Sequence, residues 1–332
     1  MAPLYIGDQG KAVLFHTSGT NLNTTGAGFW VGEVQQVSVS ESEGYRMTRY
    51  AGTATRDVQQ ITQGAQTFGG TVTIYPQDFR MLKYALGSCI DSGSPTPYQH
   101  DFVATNNNNG TLEVGGESLP AFNMELSQSV LIGGSGVNMV RNVYGNFVNS
   151  FTISSTEGEL VTMELEYVGR AGSFASGATT AVTEDTNRCF QWADCKWVVP
   201  GSSATATANI KSWSFNIANN LELPNYTDAT RIIGTPIPTN RDYAVSLTYN
   251  ADSSQGKAIY DQYFKGGSSF NMSFDATAST GSRTLFVAFS GCKITAFDSP
   301  LVREGVQEFT FTVTPQTVTA VEQSLTFKYN AE

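Results

Sequence analysis

Two histidines and four cysteines are the only imidazoles and thiols in 332 residues, so metal or nucleophilic chemistry has few side chains to draw on. His16 and His100 stand in separate polar segments with no Cys, Asp or Glu at metal-ligand spacing, and both read as surface residues. Cys189 and Cys195 have a C-x5-C spacing that common zinc sites do not use. The cysteines read as buried free thiols, with a Cys189–Cys195 bridge left open should the two face each other across a hairpin. Glu157, Glu159, Glu164 and Glu166 form the densest carboxylate cluster. A glycosidase needs two such groups facing each other across a cleft, but Glu164 and Glu166 alternate onto one face of one strand and read as an acidic stripe. Trp30, Trp192, Trp197 and Trp213 could stack sugars, yet Trp213 continues the apolar face of Phe215 and Ile217, which favours core packing. Nucleophile-elbow, phosphate-cradling and dinucleotide glycine signatures are absent. No catalytic residue, metal or cofactor is therefore assigned, and enzyme activity is not expected.

The elements that carry these residues are mostly strands. Apolar residues make up 40% of the chain, enough to fill cores, while charged residues make up only 14% against about 25% in an average soluble domain. Period-two alternation recurs between Gly, Asn, Asp and Pro clusters, as half-buried strands require. It marks strands at 29–42, 71–75, 119–130, 146–154, 159–168, 210–219 and 242–249. Polar loops are expected at 43–70, 90–118 and 220–241, and loops this long are usually functional. Phe79, Leu82 and Leu86, followed by Gly87, predict a helix over 78–86, and a second is predicted over 254–265. A formal charge of −10 gives no general footprint for gripping nucleic acid. The first fifteen residues lack the pattern of a signal peptide, and no window nears the ~18 apolar residues of a membrane helix.

The second half of the chain repeats the first. Each half reads as strand, long loop, strand, helix and three strands, with Phe122-Asn-Met answering Phe270-Asn-Met and Met163 to Tyr167 answering Phe309 to Val313. The expected organisation is two tandem units, 1–170 with an N-terminal arm and 189–332 with a C-terminal arm, joined by a linker at 171–188 rich in Ala, Gly, Ser and Thr.

The run Gln36 to Glu43, the segment 71–88, and the strand 210–219 with its downstream 231–250 resemble the tail tube (major tail) proteins of long-tailed phages and archaeal tailed viruses, in duplicated form. That resemblance implies a mainly β fold of two tube-type β-sandwich/barrel units, each with one short helix, joining a ring-wide β-barrel. It implies a structural virion protein whose chains, each bearing two units, close pseudo-hexameric rings as homotrimers. Stacked rings would form the tail of a siphovirus particle, assembled in host cytoplasm and traversed by DNA at ejection. Partners would be further copies of the chain, the tape-measure, terminator and tail-tip proteins, and transiently passing double-stranded DNA, with no membrane. Four strands from each of six units, spaced about 4.8 Å and tilted about 40°, would enclose a backbone diameter of ~48 Å.

Within that picture the expected lumen-facing residues are Ser38, Ser40, Thr162, Glu164, Glu166, Ser214, Asn216, Glu308, Thr310 and Thr312, with Lys211 alternating to the opposite face. Hydroxyls and carboxylates there would let phosphate slide, whereas cations would hold it. Tyr45, Arg46, Arg49, Tyr50, Arg56, Tyr226 and Arg231, on the two long loops, are expected to make contacts between rings. The rival reading is a secreted or cell-surface β-sandwich that binds carbohydrate.

Overall fold

Residues that alternate in the sequence alternate in burial: along Thr162–Gly169, Met163, Leu165 and Tyr167 are buried, whereas Glu164 and Glu166 are exposed. The computed structural model describes the chain apart from residues 1–9, 18–27, 51–56, 94–97, 105–118, 133–134, 177–179, 184, 186, 200–209, 226–230, 251–256, 258, 279–282, 300–307 and 325–332. The fold is mainly β. In chain order come β1 (Gly10–Thr17), β2 (Gly28–Phe29), β3 (Glu33–Ser42), β4 (Arg46–Thr48), β5 (Gln60–Thr62), β6 (Thr67–Tyr75) and helix α1 (Leu82–Leu86). Next are β7 (Gly87–Ser92), β8 (Tyr98–Ala104), β9 (Ala121–Ile132), the 22-residue β10 (Ser135–Thr156), β11 (Thr162–Gly169) and β12 (Ala171–Ser176). A 3-10 turn at Trp192–Asp194 leads into β13 (Cys195–Val198), β14 (Ile210–Ala218), β15 (Leu221–Glu222), β16 (Ile237–Pro238) and β17 (Asp242–Asn250). A π-helical segment, Ile259–Lys265, precedes β18 (Phe270–Thr277), β19 (Arg283–Asp298), β20 (Glu308–Thr314) and β21 (Thr317–Ser324).

Eight of these strands form one antiparallel sheet in the order β3, β6, β11, β10, β14, β17, β20, β19. Four come from before residue 170 and four from after it, and the pairing of the second four repeats that of the first. The irregularities repeat too. The ladder of β3 slips between Val34 and Gln36, and that of β14 between Ile210 and Ser212; β10 slips between Val148 and Ser150, and β19 between Ile294 and Ala296. A β-bulge displaces one residue and bends its strand, so its recurrence at matched positions is a stronger sign of a common plan than strand order alone.

Two smaller sheets cover this main one. β2, β1, β9, the first part of β10 and β12 lie over the first four strands, where Phe122 meets Tyr167. β7, β8, β21, the first part of β19, β18 and β13 lie over the second four, where Trp197 and Phe274 pack on Trp213 and Phe289 packs edge-on to Phe215. Most inward residues join one large hydrophobic cluster, and Leu119, Ala121 and Phe147 form a small second one. One packing solution differs between the halves. Gly70 lies opposite Tyr167, and a Cβ on Gly70 would stand 1.9 Å from the Ser38 carbonyl; at the matching place Val245 faces Val313. A small–large pair in one half and two medium side chains in the other fill similar space. Phe151, fully buried on β10, touches both halves of the sheet through β11 and β14. Phe151→Ala is expected to cost about 3–5 kcal/mol, read as a fall in the denaturant midpoint.

Several segments differ from their sequence reading. Within the expected loop 90–118, residues 90–92 and 98–104 belong to β7 and β8, because Cys89, His100 and Phe102 turn inward and supply the buried face that their polar neighbours obscure, while 94–97 and 105–118 lie outside the described residues. Residues 171–176 form β12 on the edge of β10, although 171–188 as a whole has a linker's composition. The two long loops contain short ribbons, β4–β5 and β15–β16. The first helix is shorter than predicted, its α-helical turn beginning at Leu82 and stopped by Gly87 at φ 115. The second is π-helical over 259–265, and the start expected for it, 254–256, lies outside the described residues. β8 pairs with β21, so one covering sheet draws strands from both sequence halves.

Candidate functional site

Directly paired residues of an antiparallel ladder project on the same side, so register alone fixes which side chains share a face. Ser38 pairs with Thr71, Thr71 with Glu166, and Glu166 with Ser150. A parallel row runs Gln36, Thr73, Glu164, Thr152, Asn216. Further along, Thr162, Ser154, Ser214, Ser246 and Thr312 line up, as do Ser212, Thr248 and Thr310. Ser40 and Glu308 continue their strands onto the same side. The sheet thus brings all ten residues expected to line a lumen onto one face, opposite the core. Among the described residues no part of either covering sheet pairs across this face.

The face is held together by its own hydroxyls and amides. Ser38 Oγ lies 2.9 Å from Thr71 Oγ1, Thr248 Oγ1 lies 2.9 Å from Thr310 Oγ1, and Asn216 Nδ2 donates to Ser150 Oγ at 3.1 Å and Thr152 Oγ1 at 2.9 Å. Glu164 and Glu166 stay exposed. One reading needs correction. Lys211 does not turn to the opposite face: it sits in the β14 bulge and its Nζ donates to Glu308 Oε1 at 2.5 Å, because the extra residue breaks the alternation there. Lys293, opposite Thr314, donates its ammonium to the Gly267 carbonyl. These two are the strand-borne cations in register with the face among the described residues.

The sheet's ends are open. β3 pairs only with β6, and the second part of β19, 293–298, pairs only with β20, so each offers a row of unpaired backbone groups among the described residues. Exposed strand edges template pairing with further chains.

The β4–β5 ribbon carries the expected contact residues of the first loop. Tyr45, Arg46, Arg49 and Tyr50 are all exposed, Tyr45 at 56% and Tyr50 at 53%. Sequence reasoning missed their companions Met47 and Ile61, a directly opposed cross-strand pair at 63% and 59% exposure, because isolated apolar residues in a polar loop carry no periodic signal. Arg56 and Tyr226 lie outside the described residues. Arg231 bonds within the chain. Its guanidinium donates to the Gly64 carbonyl at 2.9 Å, to Gln63 Oε1 at 3.0 Å and to the Glu43 carboxylate, fastening the base of the first loop to the second. Arg231 in turn holds the Glu43 carboxyl below the ordinary carboxylate range, aided by Gln66.

The four glutamates of the dense cluster do not face one another across a cleft. Glu164 and Glu166 share a strand face, while Glu157 and Glu159 flank a turn. All four cysteines are free; Cys189 and Cys195 lie on either side of the 3-10 turn, with Cys189 Sγ on the Tyr75 carbonyl and Cys195 Sγ on that of Gln191, rather than facing each other across a hairpin. Trp213 and Trp197 are buried, which removes them as sugar platforms. His16 is half-buried beside Tyr84, and His100 is fully buried, contrary to the surface reading.

A family profile described as phage tail tube protein matches residues 17–328. The chain belongs to the phage tail tube family. That membership assigns this tail tube protein a structural role in the virion tail, and a tube is by nature a self-assembly. No curated protein matches the chain. No helix among the described residues is long and apolar enough to cross a membrane.

Proposed function

We propose that three copies of this tail tube protein close a ring by joining the open edge of β19 in one copy to that of β3 in the next. The observation that carries this reading is the seam inside the chain. β10 ends the first set of four strands and pairs with β14, which begins the second. β19 stands where β10 stands, and β3 where β14 stands, so the same antiparallel seam can form between copies. Eight strands from each of three copies make the 24 strands that enclose ~48 Å at a tilt of about 40°. On this reading the two sets of four strands are a duplicated unit, with 1–170 and 189–332 as its approximate bounds. Closure also removes both free edges.

The polar face then lines the bore. Its exposed carboxylates and near absence of free cations suit a surface over which a phosphate backbone passes without capture. The apolar ribbon at β4–β5 supplies contacts between stacked rings, since exposed Tyr, Met and Arg are enriched at interface cores. The reading is tested by negative-stain microscopy and native mass measurement of the purified chain: tubes that dissociate into trimers support it, and a stable monomer at micromolar concentration overturns it. Deletion of 46–62 is expected to leave rings that no longer stack. The cut falls beyond the closed base, where Gly64 N donates to the Glu43 carbonyl at 3.2 Å, so the remainder keeps its fold. Tubes of normal length from this variant would refute the stacking role.

A further inference from the structure

β7 and β8 place Cys89, Asp91 and His100 on one buried side of the sheet. Cys89 and Asp91 are two residues apart on one strand and so project together, while His100 stands opposite Asp91 in the ladder. His100 Nδ1 lies 2.7 Å from Asp91 Oδ1, and Cys89 Sγ lies 3.5 Å from the same oxygen. One ligand atom from each of the three falls within 4.8 Å of the others. His100 is fully buried, Cys89 is 7% exposed, and the Asp91 side chain, 9% exposed, lies on the edge strand β7.

The row extends one strand further. Glu322 on β21 stands opposite His100, is fully buried, and accepts the Phe79 backbone N–H at 3.3 Å. Two carboxylates are thus drawn into the interior beside one thiol, with Lys83 as the neighbouring cation. Burial pushes the Cys89 thiol up, and Asp91 and Glu322 push it further, so without a metal the sulfur is a neutral thiol.

We propose that Cys89, Asp91 and His100 form a binding site for a zinc-class divalent cation. Thiolate, imidazole and carboxylate together suit zinc or cobalt rather than magnesium or calcium, and three protein ligands leave one tetrahedral position for solvent. On binding, the thiol proton leaves to solvent, the imidazole proton moves from Nδ1 to Nε2, and sulfur, Nδ1 and Oδ1 turn to the ion. The dication is balanced by one thiolate and one carboxylate. The competing account is an Asp–His hydrogen bond packed beside an inert thiol.

Cobalt titration of the chelator-treated full-length protein separates the two. The site predicts one cobalt per chain, with a thiolate-to-cobalt charge-transfer band and the intense visible bands of tetrahedral cobalt, and a rise in melting temperature with zinc. Cys89→Ser should abolish the charge-transfer band, and His100→Gln or Asp91→Asn should weaken binding tenfold or more. The Cys189→Ser, Cys195→Ser double variant should behave as wild type. Absence of the band in folded wild-type protein, its survival in Cys89→Ser, or its loss in the double variant would overturn the assignment. Circular dichroism establishes folding of each variant, and Asp91→Asn, which keeps every thiol, decides the matter should Cys89→Ser not fold.

Discussion

A chain carrying Ser40→Cys and Asp298→Cys is expected to run, after oxidation of assembled tubes, as a covalent trimer, whereas either single variant stays a monomer. The choice of residues follows from the seam inside the molecule, where Thr152 stands opposite Asn216. Matching the bulges of the two halves makes Asp298 the counterpart of Thr152 and Ser40 the counterpart of Asn216. Opposed residues of an antiparallel pair have Cα atoms about 4.5–5.5 Å apart, inside the range a disulfide spans. Both positions are exposed, so the substitutions leave the core alone. A closed ring stops the ladder of cross-linked species at three chains. An unending ladder would replace the ring by an open filament, and no cross-linking in intact tubes would show that these edges do not meet.

Particles built with Glu164→Lys and Glu166→Lys should assemble normally and release DNA more slowly. Both side chains project away from the core between threonines and serines, so the exchange is expected to change stability by no more than about 0.5 kcal/mol. Ammonium groups at these places would exchange counterions with passing phosphates, and the retardation should grow steeply as salt falls. Glu308 is left unchanged because Lys211 already pairs with it. Wild-type release kinetics at low ionic strength, where such attraction is least screened, would show that this face does not meet DNA.

Alternation made the main sheet readable from residue order. Serine, threonine and glutamate at every second position of β3, β11, β14 and β20 mark its polar face, and the repeated pattern matches the repeated pairing. What escaped was whatever breaks period two or depends on a distant partner. The bulge at β14 turned Lys211 toward Glu308, a local shift that no alternation rule encodes. β8 hid because Gln99, His100 and Asp101 look like loop until β7 and β21 bury one side of them. The cluster at Cys89 was missed for the same reason: its members adjoin only once the hairpin has formed. Arg231 looked free for a partner outside the chain, and its bonds to Glu43, Gln63 and Gly64 depend on two loops meeting.

The insertion of β21 between β8 and β19 has a bearing on the order of events during synthesis. Its Glu322 accepts the amide of Phe79, 243 residues earlier, and its ladder with β8 cannot be complete until residue 324 has left the ribosome. Contacts of such long range are slow to form. The β7–β8 hairpin therefore stands without its neighbour until β21 has been made, more than 200 residues after β8.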